Sequence, residues 1–382
     1  MTQIQESTSA GLVKIPTTVS NISYIDGEIG LLEYRGYNIV ELARKSRYEE
    51  VAFLLIYGYL PAAAELQEFT RQLTAYRELP DELIELLQHF PRDIHPAHAL
   101  QAAVTMLPGY HALMASEEAI HRPETDAVRL ISQMAVLVAA LHRIRNGKAL
   151  VPAHRELSHA QNFLYMLHGE RPDPLAASAM ETCMILYADQ SINNSTFTGR
   201  IVASTNASPI MVVTAALSSL SGPLHGGAGE RVMKMLDEIG EPENAKKYLD
   251  QTLATPGARI MGFGHRVFNT IDPRVQVLNG IIPRLFARLG TTKVLKIVEA
   301  LEKTVLETLT DKNIHPNVEL KSGIIYHRLG IENNFSIPIF AVARITGWMA
   351  HWLEERANHK LIRPAQIYQG NRTKSYIPAD TR

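Results

Sequence analysis

From residue 39 to residue 357 the chain returns apolar residues at mixed spacings of three and four, window after window. That is the pattern of helices that each bury one face. Helices are predicted at 39–57, 62–77, 81–89, 97–107, 126–145, 157–167 and 174–186, and again at 231–239, 245–253, 274–289, 292–310 and 339–357. Period-two alternation is nearly confined to residues 20–37, where Asp26-Gly27 marks a turn and predicts a short hairpin. A sequence so patterned predicts an all-α fold with a small N-terminal β element.

Length and composition narrow the function classes. A chain of 382 residues exceeds one small core and predicts two domains. Its formal net charge of −1 gives no electrostatic footprint for nucleic acid or an anionic membrane, which would need clustered excess Lys and Arg. The longest strongly apolar stretch, residues 130–141, is short of the ~20 residues of a spanning helix, so it predicts a helix buried on all sides. Residues 1–10 are polar, with neither an apolar signal core nor an Arg-rich amphipathic pattern. Cys183 is the only cysteine, which rules out an internal disulfide and a cysteine-based metal site and fits a reducing compartment. A cytoplasmic protein is expected. His154, His159 and His351 lack ligand-like spacing with acids or cysteine and read as packing or surface residues, so no metal is expected.

Three Gly/Pro clusters interrupt the helical pattern, at 221–227, 262–265 and 316–323. A polar residue of chemical interest sits in each: His225, His265 and Glu319. Singly, a loop histidine often caps the next helix, and a loop acid is often just solvated. Two histidines and one carboxylate at three such joints point to acid–base work, because these groups titrate near useful pH when partly buried. The residues alone leave the substrate open.

Resemblance narrows it. Gly222-Pro223-Leu224-His225-Gly226-Gly227-Ala228 resembles the histidine loop of the citrate synthase family. Met261-Gly262-Phe263-Gly264-His265-Arg266-Val267-Phe268, followed by Asp272-Pro273-Arg274, resembles that family's signature. Pro338-Ile339-Phe340-Ala341 with Ala343-Arg344, Gly347-Trp348 and Ala350-His351 is similar to its arginine-bearing helix, and Arg363-Pro364 to its final motif. Segments Ser23–Gly27, Leu32–Gly36 and Asn162–Met166 also fit, so the resemblance runs in order over residues 11–376.

The resemblance implies condensation of acetyl-CoA with oxaloacetate, an acyl transfer belonging to the tricarboxylic acid cycle. His225 would donate to the developing enolate oxygen, and Glu319 would take the thioester α-proton. His265 would donate to the 2-oxo group, while Arg274, Arg344 and Arg363 would hold the substrate carboxylates. The last arginine would cross from the partner subunit, making a homodimer, alone or within a higher oligomer, part of the site. Acetyl-CoA or another acyl-CoA is a co-substrate, with no tightly bound cofactor. Ile260, Met261, Gly262, Phe263 and Gly264 would line CoA, and Arg266 would face phosphate or else pair on the surface. The implied architecture is a large helical domain of residues 1–225 and 330–382 with a small mobile CoA-binding domain at 226–329. No N-terminal extension of the nicotinamide-inhibited type is expected.

Two residues depart from the family pattern. The base is ordinarily an aspartate after Asn-Val; here Asn317-Val318 precede Glu319, one methylene longer. Ala188-Asp189-Gln190 stands where Ala-Asp-His is usual, so Gln190 would contact the 2-oxo acid without positive charge, while Asn193 and Ser195 remain in place. Softer departures are Tyr187 for a frequent histidine, Asn269 for a lysine and Lys321 for an aromatic. Propionyl-CoA, giving 2-methylcitrate, or a related 2-oxo acid are the alternative substrates. A weakly active or non-catalytic paralogue, serving as a ligand-binding or assembly protein, is the alternative of another class.

Overall fold

The computed structural model describes residues 10–12, 15–114, 122–310, 314–358 and 360–382. The polar stretch at residues 1–9 lies outside them. The fold is helical with a small N-terminal sheet. Strands β1 (Ser23–Asp26), β2 (Leu31–Tyr34) and β3 (Tyr37–Asn38) form an antiparallel meander with Ser23 opposite Tyr34 and Glu33 opposite Asn38. The expected hairpin is therefore extended by a third short strand. Leu32 and Tyr34, alternate residues of β2, point into the core.

Helices follow as α1 (Ile39–Lys45), α2 (Tyr48–Tyr57), α3 (Ala63–Ala75), α4 (Asp81–Gln88), α5 (Pro96–Met114), α6 (Pro123–Arg145), α7 (His159–His168) and α8 (Pro174–Tyr187). Then come α9 (Asn194–Ala203), α10 (Pro209–Leu220), α11 (Ala228–Ile239), α12 (Ala245–Ala254), α13 (Pro273–Leu289), α14 (Lys293–Thr308), α15 (Val318–Arg328) and α16 (Ser336–Asn358).

Three corrections to the sequence reading follow. The window 39–57 is two helices, because Ser46 and Arg47 are extended and end α1. Helices α9 and α10 were not anticipated, although Asn193 caps the first and Pro209 opens the second. The segment 316–323, read as a joint, is mostly helix: α15 starts at Val318, capped by the Asn317 side chain on the Leu320 N–H.

Helix α16 is the spine. It packs against α2, α6, α8, α9 and α10 and buries Trp348 and Trp352 completely. Helix α6, which holds residues 130–141, is buried along most of its length. It is long and apolar enough to cross a membrane, but 83% of its apolar window lies inside the protein, as a core helix requires. Helices α11 to α15 pack mainly on one another and meet the rest through α13 on α1 and α8, through α15 on α8 and through α11 on α16.

Candidate active site

His225 sits in the turn that follows α10. Gly226 closes that turn by donating its N–H to Leu220 O at 2.9 Å, and a Cβ there would lie 2.2 Å from the same oxygen, so only glycine fits. The imidazole is set by the start of α9. Its Nε2 accepts the Ser195 backbone N–H at 3.3 Å and lies 2.9 Å from Ser195 Oγ. A backbone N–H can donate only to an unprotonated nitrogen, so Nδ1 carries the proton and is the free donor of the ring. Burial, with Arg344 adding to it, holds the imidazole at about 4, so the group is neutral near pH 7. Ser195 is itself fixed: its Oγ donates to Asn193 Oδ1 at 2.8 Å and receives the Trp348 indole N–H at 3.3 Å.

His265 is arranged the opposite way round. Its Nδ1 accepts the N–H groups of Val267 (3.0 Å) and Phe268 (3.1 Å), which leaves the proton on Nε2. Burial and then Arg274 lower this group to about 4 as well. Arg274 Nη2 lies 3.4 Å from Nε2. With a proton on each nitrogen, the pair converges as two donors, an arrangement suited to a developing negative oxygen. Asp272 caps α13 through the Arg274 N–H at 2.9 Å and grips the guanidinium at 2.7 to 3.2 Å. Both side chains are buried, and the carboxylate holds Arg274 above its ordinary range against the cost of burial.

Glu319 lies on the first turn of α15, where the helix N-terminus favours a carboxylate. Burial raises its affinity for a proton, and Arg274 and then its own backbone N–H oppose that rise. Arg344, on α16, donates Nε–H to Tyr187 O at 2.6 Å and stacks its guanidinium 4.6 Å from the Phe340 ring centre. It acts electrostatically on His225 and Glu319 alike, so the two histidines, two arginines and the carboxylate form one cluster.

Other expected site residues fall at different distances from that cluster. Asn193 caps α9 with its Oδ1 on the Thr196 N–H (3.2 Å), so its amide is spent on the backbone and on Ser195. Gln190 follows the buried Asp189, and its own amide oxygen and nitrogen are buried with no protein hydrogen-bond partner among the described residues. Residues Ile260 to Gly264 run beside the approach to α15: Phe263 bridges Pro316, Gly264 donates to His315 O and Asn317 donates to Gly262 O, both at 2.8 Å. Arg266 is exposed. Arg363 is exposed in the extended tail after α16, next to Ile362, which donates to Ser204 Oγ at 3.1 Å.

Sequence reasoning gave no role to Tyr187, Ser195, Asp272 or Trp348. Asp272 could have been read from the Asp-Pro start of a helix, where an acidic cap is favoured; the others are set by tertiary packing. Among the described residues no group of three or more His, Cys, Asp or Glu is placed to hold a metal ion. Two cavities, of about 400 and 490 Å³, share none of the cluster's residues and are lined by Arg77, Thr74 and Arg155 among others.

The sequence model described as "Citrate synthase, C-terminal domain" matches residues 11–365. The chain belongs to the citrate synthase family. Citrate synthase of Synechocystis sp. is 42% identical over 97% of this chain and 93% of its own length, and citrate synthase 2 of Bacillus subtilis is 39% identical over 97% and 98%. Among solved structures, citrate synthase of Thermotoga maritima superposes with a TM-score of 0.86 at 38% identity, covering 97% of this chain and 98% of that one. The ternary complex of citrate synthase from Thermoplasma acidophilum with carboxymethyl coenzyme A and oxaloacetate gives 0.89 at 31% identity, over 98% and 99%. The protein is thus an enzyme of the citrate synthase type, catalysing an acyltransferase-class condensation.

Proposed function

We propose that the chain condenses acetyl-CoA with oxaloacetate to give citrate and CoA, with Glu319 as base. The observation that carries this reading is the pair of neutral histidines with opposite free donors, His225 Nδ1–H and His265 Nε2–H, in one cluster with Glu319, Arg274 and Arg344. His225 donates to the thioester carbonyl oxygen while Glu319 removes a proton from the α-carbon. Neither step alone suffices for so weak a carbon acid. The α-carbon then bonds to the keto carbon of oxaloacetate, whose oxygen takes the proton of His265 Nε2 beside Arg274. Water splits the thioester, leaving a carboxylate and the free thiol.

Arg274 and Arg344 bind the carboxylates of oxaloacetate, joined by Arg363 of a second copy in a homodimer. Gln190 supplies a neutral hydrogen bond where a charged donor is usual. Residues 226–329 close over the substrates, with Ile260 to Gly264 along CoA and Arg266 at its phosphates. No resident cofactor is needed for this chemistry.

Thiol release from acetyl-CoA, propionyl-CoA and longer acyl-CoAs against a panel of 2-oxo acids tests the reading. Acetyl-CoA with oxaloacetate is expected to be the fastest pair, and Glu319→Gln to slow it by about 10²- to 10⁴-fold. Binding of oxaloacetate or CoA without turnover of any pair would overturn catalysis in favour of a ligand-binding paralogue.

A further inference from the structure

Glu319 is held at the start of a helix, so where its carboxylate falls depends on where that helix is pinned. Two pins act within one turn of it. Ser322, three residues on and 3% exposed, has its Oγ 2.9 Å from the buried Tyr187 phenol at the end of α8. Lys321, two residues on and 7% exposed, pairs with Glu302 of α14. A lysine taken that far out of water costs desolvation that its ion pair barely recovers, so the pair's value is in fixing register rather than in net stability.

Tyr187 has further ties. Its carbonyl receives the Arg344 Nε–H at 2.6 Å, and the Arg274 guanidinium lies 5.8 Å from its ring centre. One residue therefore touches both candidate carboxylate-binding arginines and the helix that carries the candidate base. The phenol stays protonated at any working pH, since burial raises it far above its ordinary value, so the link to Ser322 persists.

We infer that Tyr187, Ser322 and Lys321 are positioning residues: together they set the axial place of α15 so that the longer Glu319 side chain reaches the acyl α-carbon at the depth where Arg274 and Arg344 hold the second substrate. This rests on the reading of Glu319 as base. A displacement of about 1 Å at a reacting group can cost ~10²-fold in rate, whereas substrate binding by the arginines is left nearly intact. The signature is a fall in kcat with little change in KM.

Tyr187→Phe removes one oxygen and keeps the ring, so it is the sharpest probe; Ser322→Ala cuts the same link from the other side. Each is expected to lower kcat about tenfold with both KM values within twofold, and the double variant to be no worse than either single one. Lys321→Met should do the same and Lys321→Arg should recover most of the loss. The deciding readout is the isotope effect on kcat with trideuterated acetyl-CoA. It should increase in Tyr187→Phe, because proton removal becomes more rate-limiting, while a merely destabilised enzyme loses active fraction and keeps the wild-type value. A wild type that turns over, with an isotope effect unchanged in Tyr187→Phe and Lys321→Met, overturns this inference alone. A wild type without turnover overturns the assignment of Glu319 and this inference with it.

Discussion

Gly347→Ala connects the helical spine to the site through a single methyl group. Gly347 lies on α16, and its N–H is 3.0 Å from Ala188 O. A Cβ at this position would stand 2.4 Å from Ala188 O, 2.5 Å from Asp189 Oδ1 and 3.1 Å from Asp189 Cβ. Ordinary contact begins near 3.4 Å, so α16 and the 188–190 turn must part by about 1 Å. Neither side yields freely, since α16 is buried against α6 and Asp189 is fully buried and bonded to Ser23. Overpacking of this kind costs about 1–3 kcal/mol, offset by ~1 kcal/mol from replacing a mid-helix glycine. The net loss is about 0–2 kcal/mol. Activity should suffer more, because Arg344 stands three residues earlier, bonded to Tyr187 O in the same seam, and a 1 Å error there can cost ~10²-fold. Gly280→Ala is the control: nothing lies within 4 Å of its Cβ, and it sits in α13, so it should gain stability and keep its rate. Denaturant midpoints and kcat/KM for oxaloacetate decide the matter. A Gly347→Ala enzyme indistinguishable from Gly280→Ala in both would refute the steric argument.

Arg200→Met should destabilise by about 3–5 kcal/mol, because it strands Glu354 and Glu355, each 2.6 Å from the buried guanidinium; chemical denaturation measures it, and a loss below 1 kcal/mol would contradict the geometry. His159 is fully buried and lowered to about 3 by burial and then Arg77. Between its ordinary 6.5 and that value the unfolded chain binds a proton that the folded one refuses, so stability falls as pH drops through this window. His159→Phe, which keeps the stack on Tyr48, should flatten that slope by ~1.4 kcal/mol per pH unit between pH 4 and 6; an unaltered slope would show the imidazole titrating normally. Gln190→Ala should raise KM for the 2-oxo acid about tenfold or more, the worth of a hydrogen bond to a charged group, and leave KM for acyl-CoA alone. An unchanged oxo-acid KM would remove Gln190 from the pocket.

The sequence carried most of the helices because their apolar spacing is local information. It failed where local signals were short or contradictory. Ser46 and Arg47 break a window whose periodicity continues on both sides, and Gly323 looks like a breaker but packs inside α15 against Met233. His225, His265 and Glu319 stood out because each lies in a segment marked by glycine or proline. Their partners did not stand out: Ser195, 30 residues from His225, and Trp348, 153 residues from Ser195, meet only after the helices pack. Asp189, in the turn after α8, and His351, on α16, are 3.3 Å apart and buried, and nothing local in either predicts the other.

The backbone bonds between Gly262–Gly264 and His315–Asn317 splice two distant loops into a short ladder. His265 leaves one end of that ladder and Glu319 the other, while His225 is anchored separately on α9. The span from His265 to Glu319 is therefore set like a caliper by this ladder and by the α8 and α14 contacts that hold α15, while His225 is mounted on a different frame. Arg274 belongs to the caliper and Arg344 to the other frame, so under the proposed function a dicarboxylate gripped by both would tie the two frames together.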